Sequence, residues 1–119
     1  MTENFYKKIV ELRNIEQELT KLGKDTIMEM IDKYPESFSN IEELADNGHI
    51  TSNTIECYNS FIGEYYSFNI DKVEKNQRGV IYLVDVEDNS IDLTTITHHQ
   101  TIIDAVIVLH DVIDHRNKK

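Results

Sequence analysis

Four histidines and three aspartates fall within the nineteen residues from Thr97 to His115, THHQTIIDAVIVLHDVIDH. Imidazole titrates close to neutrality, so histidines beside carboxylates can shuttle protons or hold a metal. On a helix His110 and Asp114 stand one turn apart, a spacing that presents two ligands to one ion. His99 lies eleven residues before His110 and comes round to the same side. One reading is thus a small metal- or histidine-dependent enzyme using His99, His110 and Asp114. A helix edge of locally hydrogen-bonded histidines accounts for the same residues. The chain has no HExxH, no cysteine pair and no second carboxylate cluster at metal spacing. The plainer reading is preferred, with no catalytic residue, metal or cofactor expected.

Other chemistries fare no better. The four glycines make no phosphate loop or dinucleotide fingerprint, and no serine sits in a nucleophile elbow. Asp85-Val86-Glu87-Asp88-Asn89 lacks the order of a calcium loop. A hydrolase or nuclease built on His98, His99 and Asp104 has no supporting motif, and no Lys or Arg lies near in sequence to hold an anionic substrate. Cys57 is the sole cysteine, so no internal disulfide forms. It reads as a buried thiol on a helix in a reducing compartment.

These residues must be positioned by a fold, and Thr97–His115 is its expected centre. Thr97 and Gln100 match a capping box, and Ile102, Ala105, Val106, Leu109, Val112 and Ile113 share one face. Gln100, Asp104, Asp111 and His115 share the opposite one. Arg116, Lys118 and Lys119 follow the end, where positive charge suits the helix dipole. The β-branched residues would also suit a buried strand, but nineteen residues is long for one.

At the other end, Phe5, Ile9, Leu12, Leu19 and Leu22, with Ile15 near the seam, predict an amphipathic helix over residues 3–22. Gly23 can end it, and Thr26 with Glu29 can cap a second helix running to Tyr34 before Pro35. A helical hairpin and one long kinked helix both fit. The apolar seam is expected to be buried within the domain; a coiled-coil homodimer is the alternative. Ser39 and Glu42 predict a short helix closing at Asn47-Gly48, with His49 in a polar loop. A further helix is expected from Asn53 or Thr54, burying Ile55, Tyr58, Ile62 and Tyr65. Tyr58, Phe61, Tyr65, Tyr66 and Phe68 form the aromatic centre of the chain, read first as core and second as an exposed contact patch.

Residues 67–74 fit a strand or a helix, and Asn76–Gly79 a turn. Val80–Val86 predicts a strand and Ile91–Ile96 its partner, with Glu87–Ser90 as the hairpin loop. The expected fold is α+β, a single domain over 1–119. N-terminal helices, an antiparallel meander of two to three strands and a C-terminal helix packed on the sheet compose it.

Charge is the unusual quantity. Twenty-two acidic and twelve basic side chains leave −10 near neutrality. From Met1 to Tyr34 the signs nearly cancel, seven against six. Pro35–Asp71 carries seven acids and no Lys or Arg, and Gly79–His115 repeats that count. Such a surface repels nucleic acid and lipid headgroups and attracts basic protein surfaces. No apolar run reaches membrane-spanning length and the first residues lack a signal-peptide layout, so a cytoplasmic protein is expected.

The functional expectation is a small non-enzymatic binding protein, an inhibitor that blocks the basic, nucleic-acid-binding surface of a protein partner. Phage anti-defence and anti-CRISPR proteins that mimic DNA work by this physics. An immunity protein against a basic toxin fits the same charge. The expected contact residues are Glu56, Glu64, Asp85, Glu87, Asp88 and Asp92, with Tyr65 and Tyr66 as anchors. Simple solubility is the alternative use of the charge.

Overall fold

A computed structural model of the chain describes residues 2–117. Its order is α1 (Thr2–Lys33), α2 (Ile41–Asp46), β1 (Thr54–Asn59), β2 (Glu64–Asn69), β3 (Lys72–Lys75), β4 (Ile81–Val84), β5 (Ser90–Asp92), a 3-10 turn (Leu93–Thr95) and α3 (His99–Arg116). The chain is α+β. β1 and β2 form one antiparallel pair, and β3-β4-β5 a separate three-stranded meander.

α3 is the expected C-terminal helix, and it is the hub. Ile102, Ala105, Leu109 and Val112 are buried as predicted, but Thr101 and Val108 are buried too, while Val106 and Ile113 are only partly so. The reason is that α3 is covered on two sides, by α1 and by β1. The face predicted to meet solvent instead meets the free edge of β1. Asp104 accepts from the Glu56 backbone N–H at 3.2 Å, Thr101 donates its hydroxyl to the Glu56 carbonyl, and Asp111 accepts from Thr51 N–H at 3.4 Å. Polar side chains thereby satisfy backbone groups of the open β1 edge at Glu56 and of the loop before it at Thr51. The capping box does not form. His98 occupies the N-cap without a side-chain bond, and Gln100 donates to Asp104 at 2.9 Å. Lys118 and Lys119 lie outside the described residues.

α1 is one uninterrupted helix of 32 residues, about 48 Å long at 1.5 Å per residue. Gly23 does not end it. An added Cβ there would stand 2.0 Å from the Cγ2 of Ile102, so the glycine marks where α3 crosses α1 closely. Thr26 makes no capping box either; its hydroxyl donates to the Leu22 carbonyl one turn back. Only Ile27 and Ile31 of this helix are buried. Phe5, Leu12, Ile15, Leu19 and Leu22 are exposed, so the expected burial of this seam within the domain is corrected. The helix stops before Pro35, which disfavours helical geometry at Tyr34.

α2 begins after Asn40 in left-handed geometry, φ 55°, with no Ser39 cap. Asp71 replaces the expected box: its carbonyl accepts from Ile41 N–H at 2.8 Å and its carboxylate from Glu42 N–H at 3.2 Å. Residues 67–74 are strand, split between β2 and β3 at Ile70-Asp71. β5 ends at Asp92 because Asp92 caps the 3-10 turn, accepting from Thr94 N–H at 2.8 Å. Leu93 and Ile96 are buried beneath it. Among the described residues, no helix is long and apolar enough to cross a membrane.

Candidate protein-interaction site

The predicted helix at residues 53–66 is a β-hairpin. Ile55, Tyr58, Ile62 and Tyr65 do recur at helical spacing, but Thr54–Asn59 also alternates, with Ile55 and Cys57 buried between Thr54, Glu56 and Tyr58. Alternation prevails because the inward residues reach the core beside Phe68 while the strand edge docks on α3. Tyr58 faces Tyr65 directly across the pair, and Cys57 faces Tyr66.

Asn59 builds the tip. Its side chain accepts from Phe61 N–H at 3.0 Å and its carbonyl from Gly63 N–H at 2.9 Å, with Gly63 at φ 67°. A left-handed residue suits glycine, and the turn throws Phe61 clear of the protein. Phe61 is 99 % exposed, and Ile62 beside it is 65 % exposed. Behind them Tyr58 and Tyr65 pack with ring centroids 5.0 Å apart, and Tyr65 stands edge-on to His98 at 5.7 Å. The tyrosine bodies brace each other while their outer surfaces stay in solvent. Of the predicted aromatic centre, only Phe68 is core.

Glu64 opens β2 at the base of the tip, exposed. Glu56 shares the face of Tyr58 and accepts from Ser67 at 2.9 Å. Glu56, Glu64, Tyr65 and Tyr66 therefore lie on one hairpin. Tyr66 is on its other face, directly across from Cys57. Burial raises the thiol above its ordinary pKa, opposed in part by the Tyr66 hydroxyl, with Glu56 and Asp104 adding to the rise. Cys57 is buried on a strand rather than on the expected helix.

The remaining predicted contact acids lie on the β4–β5 connection and at the end of β5, and most are occupied locally. Asp85 accepts from Glu87 N–H and Asn89 N–H, both at 2.9 Å, and from the Asn89 amide at 3.0 Å. Asp88, at φ 64°, pairs with Lys72 at 3.1 Å. Asp92 caps the 3-10 turn. Glu87 and Asp88 are both exposed, while Asp85 and Asp92 are half-buried. Asp85 and Asp88 thus shape the β4–β5 turn, and Asp92 the 3-10 turn, as well as carrying charge.

The histidines divide. Eleven residues of helix place His110 about 16 Å along the axis from His99, so the two do not converge on one ion. Among the described residues, no three His, Cys, Asp or Glu side chains gather as metal ligands. His98 and His99 stack at 5.0 Å, and His99 Nδ1 is 3.9 Å from Glu16. His49, predicted to be isolated in its loop, stacks on His115 at 4.7 Å. His98 separates two hollows. One, of about 630 Å³, lies along α1 and is lined by Arg13, Lys21, Lys24 and His99 among others. The other, of about 290 Å³, is a cleft between Tyr58, Tyr66 and Ile91.

Comparison with protein-family models, with curated proteins and with solved structures finds no match to this chain.

Proposed function

We propose that this chain is a non-enzymatic binding protein that docks on, and blocks, a basic surface of a protein partner. The observation that carries the reading is the β1–β2 tip. A turn built by Asn59 and Gly63 holds Phe61 and Ile62 in solvent, with the Tyr58–Tyr65 pair behind them and Glu56 and Glu64 on the same hairpin. Burying a large aromatic is favourable, and holding one out on an ordered turn keeps that gain for a second molecule. Protein interfaces place aromatic anchors at the centre and charges at the rim, and the rim here is acidic. With −10 overall, complementary charge speeds encounter with a basic partner and disfavours acidic ones.

Nucleic-acid-handling enzymes have such basic surfaces, and an acidic protein seated on one excludes the phosphate backbone. The reading is therefore an inhibitor in the manner of phage anti-defence proteins, acting in the cytoplasm. Pure phosphate mimicry is the lesser part, since Asp85 and Asp88 are tied into the β4–β5 turn and Asp92 into the 3-10 turn that follows β5. The tip supplies the anchor and the carboxylates supply the bias.

The test is capture from a bacterial lysate by the immobilised chain, beside a Glu56→Lys/Glu64→Lys variant. The reading expects a basic protein that is retained by the wild type at low salt, released at high salt and lost by the variant. Equal retention by both, or retention indifferent to salt, contradicts it.

A further inference from the structure

The exposed seam of α1 belongs to no site described above. Phe5, Leu12, Ile15, Leu19 and Leu22 are between 40 % and 70 % exposed. At 100° per residue they occupy a band roughly 100° wide, beside the strip that α3 covers farther along. Phe5, Leu12 and Leu19 repeat every seven residues, as do Ile15 and Leu22, the spacing of a coiled-coil seam. Taking a large exposed side chain at roughly 150–250 Å², the band offers about 500 Å² per copy. Two copies reach about 1,000 Å², the lower bound of a specific interface.

We infer that two copies of this chain pair through this band, with their α1 helices antiparallel. Charge selects the occupant. Thr2–Lys33 carries seven acidic and six basic residues, whereas the rest of the chain carries fifteen and six. α1 is thus the surface on which two strongly acidic molecules can meet with little repulsion.

Charge also selects the direction. A parallel pair would set both acidic bodies at one end and oppose Lys8 to Lys8. An antiparallel pair sets Phe5 against Leu22 of the second copy, Leu12 against Ile15, and Lys8 against Leu19 with Glu18 alongside. The bodies then lie at opposite ends. Residues 2–15, with three basic and two acidic side chains, lie beside the other copy's acidic body. The hairpin tip takes no part, so this pairing stands or falls independently of the proposed function.

Sedimentation equilibrium of the full chain over a wide concentration range tests it. The expected result is a monomer–dimer equilibrium that Leu12→Lys/Ile15→Lys weakens by about a hundredfold. Circular dichroism and Tm, measured at concentrations where the wild type is monomeric, should stay unchanged, because these side chains are exposed in the fold. A chain carrying both Lys8→Cys and Leu19→Cys should form disulfide dimers on mild oxidation, and Lys8→Cys alone should not. Cross-linking by the single variant overturns the antiparallel pairing. A monomer at every concentration overturns the proposal, and one that binds lipid vesicles through the same residues assigns the band to a membrane surface.

Discussion

Phe61 carries the functional argument at the scale of single residues, and its environment makes a clean test possible. It is held by backbone and Asn59 contacts that do not involve its ring, so Phe61→Ala should leave Tm within about 3 °C of the wild type, as surface substitutions do. Thermal unfolding by circular dichroism checks this; a large drop would mean the ring is structural. Cys57 makes the opposite case. Buried and with its thiol raised above the ordinary range by burial, it should react with a thiol reagent at pH 8 far more slowly in the native protein than in denaturant. Equal rates would contradict the β1 placement. Asp85 offers a pH prediction. Desolvation is the largest single influence and pulls its carboxyl up, but hydrogen bonds from the Asn89 side chain and from the Asn89 and Glu87 amides together prevail and hold it below its ordinary value. A depressed carboxyl stabilises the fold above its unfolded pKa and loses that contribution as pH falls through the folded one. The β4–β5 turn should therefore open only below pH 3.8, read by loss of the native Glu87 and Asn89 amide shifts in an NMR titration. Glu56, Glu64 and Tyr65 could be proposed from composition and local charge. Phe61 could not be singled out, since its exposure depends on a turn hidden by the competing helical spacing of Ile55, Tyr58 and Ile62.

Among the elements, the two long helices depend on their crossing. Gly23→Ala improves helix propensity by up to about 1 kcal/mol, but drives a methyl into the buried Ile102 side chain, and overpacking costs about 1–3 kcal/mol. The expected net effect is a Tm lower by several degrees; a raised Tm would show that α1 and α3 do not cross closely at this glycine. Asp104→Ala should cost about 1 kcal/mol by leaving the Glu56 N–H without its acceptor, measurable by urea unfolding. The sequence made α3 and the β4–β5 hairpin legible because their apolar patterns are strong and match one period. It misled at Gly23, where the glycine serves a neighbouring helix 79 residues away rather than a chain reversal. It misled at Ser39 and Thr97, where the cap is supplied by Asp71 or absent. Such long-range partners leave no local signal.

The whole molecule is elongated, 53 Å by 34 Å by 33 Å, because α1 projects beyond the body it helps to hold together. Charge follows the same division, with a nearly neutral helix attached to a strongly acidic body. The body is the part suited to a basic partner, and the helix the part suited to another copy. Total charge was plain in the sequence from the start, but its division between a working surface and local turn chemistry required the fold. The most direct test of the proposed function is the dissociation constant of the captured basic protein for the wild type, Phe61→Ala and Glu87→Ala, at low and moderate salt. At least a tenfold weakening by Phe61→Ala, a smaller effect of Glu87→Ala, and weaker binding by all three at higher salt are expected. Wild-type affinity in Phe61→Ala would contradict the proposed function.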